Sequence, residues 1–283
     1  MRMALKEPVI LPLCVAALFL LTVFFSIYPC FGKVILYPIY REFKKNSMSY
    51  QNARFNVEKS ENFRVHYQDS SRECVEMVID NAEKSLKVLI EDFDYKLDCK
   101  IDIIIYPEYR EMAKKIGLGT GSTAMGVYYS GIISILEPKK WIRENLDIVR
   151  VFTAEGPVLH ELTHYVIDYK TCGNVPVWFT EGMALYEEYK VNNVQWAYGK
   201  DIESFYSPDE LQNDFYSLDE ISAYKQSFII VKYIEDNFGN EAVKKIIGLL
   251  KSGSSLEQAF IRIIKMDMKE LFIKAFEYYD AGR

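Results

Sequence analysis

The stretch that most narrows the folds open to this chain is His160-Glu161-Leu162-Thr163-His164, followed closely by Trp178-Phe179-Thr180-Glu181-Gly182. On a helix, residues four apart lie on the same side, one turn above the other. Both imidazoles of this HExxH pattern can therefore hold one metal ion. The fold must supply a helix for the pair and a second element that returns with a further ligand. Glu161 stands on the rim of the histidine face, within reach of a metal-bound water without being a ligand.

A catalytic zinc needs a third protein ligand and leaves its fourth position to water. The sequence holds three histidines, and the third, His66, lies far upstream on the polar phase of a short strand, where it reads as a surface residue. Cys172 falls where the first helix ends. A carboxylate is left, and Glu181 sits on the next helix, which allows an antiparallel return to the same ion. Glu187 and Glu188 could support the histidines from outside, but are read as solvated surface charge.

Along the chain, alternation marks a strand at Phe63–Tyr67, an apolar run closed by Pro107 marks a buried strand at 100–106, and Gly126–Tyr129 and Ile132–Leu136 read as two strands turning at Ser130-Gly131. Helical spacing marks 73–89 and Tyr109–Ile116. Gly119, Gly121 and Gly126 mark a loop without any phosphate-binding pattern. Pro157 suits the first turn of the HExxH helix, Gly173-Asn174 stops it, and a second helix opens near Pro176. Four further helices are expected at 222–237, 241–251, Leu256–Ile263 and 268–279. Strand-rich modules followed by helices only make an α+β layout.

These residues carry a resemblance. HELTH followed by Pro176-x-Trp178-x-x-Glu181-Gly182-x-Ala184 looks like the gluzincin clan of metallopeptidases, and more narrowly the bacterial peptidase MA-like group. Ala223-Tyr224-Lys225-Gln226-Ser227 extends the likeness, which covers roughly residues 62–240. It implies a zincin-like domain, a small mixed sheet with the HExxH helix followed by a helical part. It also implies one Zn²⁺ held by His160, His164 and Glu181, with Glu161 as general base and Tyr224 as donor to the oxyanion. A strand such as Ile132–Leu136 would form the sheet edge beside the cleft, where a peptide or protein substrate adds as an extra strand.

The N-terminus differs in kind. No charged residue occurs between Pro8 and Gly32, a length that can cross a hydrocarbon core, and no small-x-small cleavage site follows. The expected organisation is a short tail at 1–8, a transmembrane signal anchor at 9–31, a juxtamembrane linker at 32–60 and a metallopeptidase domain at 61–283. The chain is then a single-pass protein of the cell membrane, held in the lipid bilayer by its N-terminal helix, with the catalytic domain extracytoplasmic. Five cysteines without a CxxC are read as free thiols, a Cys74–Cys99 pair being the alternative. With a net charge of −6 and no long basic run, nucleic acid is not an expected partner. The expected function is a membrane-anchored zinc metallopeptidase. Its rivals are a catalytically silent peptide-binding module and a zinc hydrolase of non-peptide amides or esters.

Overall fold

Eleven residues of alternating or continuous isoleucine-rich sequence, in Ile101–Tyr106 and Ile132–Leu136, form the middle of a five-stranded sheet. The computed structural model describes residues 7–68, 70, 72–117, 124–193, 195–202 and 204–282. Gly119 and Gly121 of the expected loop lie outside them. In chain order the elements are α1 (Glu7–Ile27), α2 (Pro29–Gln51), β1 (Asn56–Lys59), β2 (Phe63–Tyr67), α3 (Arg72–Phe93), β3 (Ile101–Tyr106) and α4 (Tyr109–Ile116). The hairpin β4 (Gly126–Tyr129) and β5 (Ile132–Leu136) follows. The rest is helical: α5 (Ile148–Glu155), α6 (Val158–Thr171), α7 (Val177–Asn192), α8 (Pro208–Asn213), α9 (Glu220–Phe238), α10 (Asn240–Lys251), α11 (Leu256–Ile263) and α12 (Met268–Ala281).

The strand order is β1-β2-β3-β5-β4. β2, β3 and β5 run parallel, with Ile103 opposite Val65 and Ile133, while β1 and β4 run antiparallel at the two edges. All six residues of β3 are buried because helices cover both faces. Ile101, Ile103 and Ile105 face the main core with α3, α6 and α7, whereas Ile104 and Tyr106 meet Met48, Phe55, Met112 and Ile116. Each such fully buried isoleucine contributes about 1.5–3 kcal/mol. The edge beside the cleft is β4, not β5 as the resemblance implied. β5 is enclosed because its other side already pairs with β3.

The N-terminal expectation needs correction. Tyr28 leaves helical geometry (φ −121°, ψ 67°), Pro29 opens α2, and the two helices bend by 112° at this break. Among the described residues no single helix is long and apolar enough to cross a membrane. The expected transmembrane anchor, single-pass placement in the cell membrane and bilayer partner are therefore withdrawn. The stretch 32–60, expected as a linker, carries most of α2 and all of β1. Arg41, Lys45 and Met48 of α2 are buried against the rest of the protein.

One smaller expectation also changes. His66 is no ordinary surface residue: its Nε2 lies 2.9 Å from Asp102 Oδ1, and that buried carboxylate also accepts from Arg64 at 2.7 and 2.6 Å. Its two basic partners outweigh burial and hold Asp102 below the usual carboxylate range. None of the five cysteines is in a disulfide; Cys74 is buried and Cys99 exposed.

Candidate metal centre and cleft

Helix α6 carries the HExxH pattern on the face turned from the core. Leu159, Leu162 and Val166 are buried on the other side, which fixes the rotation of the helix. Helix α7 returns alongside. Trp178, wholly buried, anchors its first turn against Phe179 and Phe272 (ring centroids 5.5 Å in each case) and donates from Nε1 to Gln212 at 3.3 Å. One turn later the same helix presents Glu181. Gly182 lets α7 close on α9, since a Cβ there would lie 2.4 Å from the Ser227 carbonyl oxygen.

The result is a compact donor set. His160 Nε2 and His164 Nε2 lie 3.2 and 3.3 Å from Glu181 Oε2, and the three candidate ligand atoms are all within 4.8 Å of one another. Four-coordinate zinc with bonds of about 2.0–2.1 Å has tetrahedral edges of about 3.3 Å, which the two imidazole–carboxylate distances match. The other ring nitrogens are held as well. His160 Nδ1 is 3.2 Å from Glu188 Oε2, and His164 Nδ1 is 2.8 Å from Thr180 Oγ1. Such outer partners fix which nitrogen is free to ligate. Glu188, read from the sequence as surface charge, is one of them. Its seven-residue offset from Glu181 on α7 was the available signal, because it places both carboxylates on one face.

The electrostatics agree with the donor chemistry. Burial opposes charge on His160, yet the Glu188 and Glu181 carboxylates outweigh it and push its pKa well above the ordinary value. Burial likewise opposes charge on Glu181, but the two imidazoles pull its pKa far below the carboxylate range. These three residues together could hold a metal cation. Glu161 differs: burial raises its pKa, with the histidines opposing. Its Oε2 accepts from the Tyr128 backbone N–H at 2.5 Å, which joins the HExxH helix to the free edge of β4.

These residues line a cleft of about 640 Å³. β4 forms one wall, and Trp196, Tyr216 and Tyr224 stand among the residues opposite the metal site. Tyr224 packs on Trp196 and Phe215 at 5.5 and 5.2 Å between ring centroids. Burial, and then the charge of Glu181, pushes its hydroxyl well above the ordinary tyrosine pKa, so it stays a proton donor. Its neighbours on α9 serve the same wall: buried Lys225 donates to the carbonyls of Ala197 and Lys200, and Gln226 binds both the N–H and the carbonyl of Tyr206.

Glu187, also read as surface charge, is buried on the far side of α7. It meets Lys190 Nζ at 2.7 Å, and burial raises its pKa to about 7 with Asp92 adding to the effect. Sequence comparison adds an independent finding. A family model described as the peptidase MA superfamily matches residues 81–276, more than half of the chain. No curated protein gives a significant match.

Proposed function

Since the chain belongs to the peptidase MA superfamily, we propose that it is a zinc metallopeptidase using His160, His164 and Glu181 as ligands and Glu161 as general base. The observation that carries this reading is the convergence of the three donor atoms within 4.8 Å, on the cleft where Glu161 meets a free strand edge. Zinc held there would supply Lewis-acid polarisation of the scissile carbonyl and lower the pKa of a bound water to about 7.

The chain's own residues do the rest. Glu188 and Thr180 hold the imidazoles with their Nε2 atoms toward Glu181. The free edge of β4 takes the peptide as an added strand. Glu161 accepts the proton of the attacking water and returns it to the leaving amine, which requires hydrogen-bond reach of both. Tyr224 donates a hydrogen bond to the oxygen that gains charge in the transition state. The test is peptide cleavage by the zinc-loaded protein beside Glu161→Gln. The variant should lose about 10²–10⁴-fold in kcat with zinc still bound; full activity in the variant would refute the assignment.

A further inference from the structure

Helix α2 precedes the residues matched by the family model, yet it helps to build the cleft. Tyr37 and Tyr40 line the same hollow as His160 and Glu161. On one face of the sheet edge, Arg41 Nη1 donates to Asp168 Oδ2 of α6 at 2.8 Å, and its guanidinium lies 3.5 Å from the Tyr169 ring centroid. Asp168 in turn accepts from the Tyr128 hydroxyl of β4 at 2.6 Å. On the other face, the Tyr40 hydroxyl lies 3.3 Å from that of Tyr129, the last residue of β4. Adjacent strand residues point to opposite faces. A helix that reaches both Tyr129 and the partner of Tyr128 must pass across the end of the strand's free edge.

The packing leaves it no slack. A Cβ at Gly173, just past the end of α6, would lie 2.2 Å from Tyr37 Cδ1, and one at Gly131, in the β4–β5 turn, would touch Lys45 and Arg41 at 3.4 and 3.5 Å. Beyond Tyr37 and Tyr40 lies a second, apolar hollow in the elbow of α1 and α2, lined also by Phe25, Pro29 and Leu36. The two tyrosines divide it from the metal cleft.

We infer that α2 ends the peptide-binding edge at Tyr129, so that the cleft accepts only a short run of substrate on that side of the scissile bond. The Tyr128 N–H is at Glu161, and Tyr129 is the next residue along, so about two substrate residues fit before α2 at a rise of roughly 3.3 Å each. The substrate class is then peptides presented by one terminus, with Tyr37 and Tyr40 as specificity-determining residues. This inference rests on the peptidase reading above.

Two measurements test it. Mass spectrometry of a mixed peptide library digested by the zinc-loaded protein should place the cuts within about two residues of one terminus. Tyr40→Ala, at a residue 45% exposed and so outside the core, should join the two hollows and move cuts inward, while Tyr40→Phe should keep the wild-type pattern. Independently of turnover, zinc-loaded protein is titrated with two series of peptide hydroxamates, extended from the hydroxamate toward the N- or the C-terminal side. Affinity in one series should drop about tenfold at the third residue, the size of an overpacking clash. Cuts far from both ends, or affinity that keeps rising in both series, would overturn the inference while leaving the peptidase reading intact. Zinc binding without cleavage or hydroxamate binding would defeat the peptidase reading itself, and this inference with it.

Discussion

Replacing Arg41 with methionine should cost the protein about 3–4 kcal/mol. Arg41 is 6% exposed and Asp168 is 7%, so the pair is shielded from solvent on both sides. Removing one partner of a buried ion pair leaves the other charge uncompensated, at about 3–5 kcal/mol. The lost contact with the Tyr169 ring adds about 0.5–1 kcal/mol. The Tyr128 hydroxyl, still donating to Asp168 at 2.6 Å, offsets part of the sum. Set against a typical stability of about 5–15 kcal/mol, the change is large and easily read from urea unfolding. Asp168→Asn added to Arg41→Met should recover part of the loss, giving a coupling of about 1–3 kcal/mol, because no stranded charge then remains. A loss below about 1 kcal/mol, the range of an exposed pair, would refute the view that α2 is pinned to the HExxH helix.

Three further outcomes follow from the same geometry. Gly182→Ala drives a methyl group to 2.4 Å from the Ser227 carbonyl, so α7 must move off α9; a loss of about 1–3 kcal/mol in unfolding and weaker zinc binding are expected. Glu188→Gln and Thr180→Val should each weaken zinc about 10–100-fold in competition with a chelator, with the fold intact by circular dichroism. Glu187 has its carboxyl raised to about 7 in the folded protein, so the native state holds more protons than the unfolded one between about 4.5 and 7. Stability attributable to this residue is therefore present at low pH and lost as pH rises through about 7, and Glu187→Gln should flatten the decline seen by thermal unfolding at pH 5 and pH 8.

Much of the site could be read from the chain because its geometry is local. His160 and His164 share a face through helix periodicity alone, and Glu181 comes back to them after a short turn. Four of the five strands showed in their apolar patterns, β1 lying instead in the expected linker, and the closing helices showed in their apolar spacing. Strand order did not show, because whether β4 or β5 lies at the edge depends on which strand β3 pairs with. Charged residues misled most. Arg41 and Lys45 look like the solvated face of a connector, but Arg41 is buried by a carboxylate 127 residues away. Glu188 and His66 read as surface residues for the same reason: a charge is placed inside by its partner, and the partners lie on other elements. The apolar run after Pro8 had the composition of a span, and the break at Tyr28-Pro29 decided its geometry.

The most direct test of the central claim is metal content and peptide cleavage of the purified protein before chelation, after chelation and after zinc is returned. One zinc per chain is expected, with cleavage lost on chelation and restored by zinc, and with no zinc retained by His164→Ala. Failure to bind zinc, or cleavage indifferent to its removal, would contradict the assignment of His160, His164 and Glu181 as a catalytic metal centre.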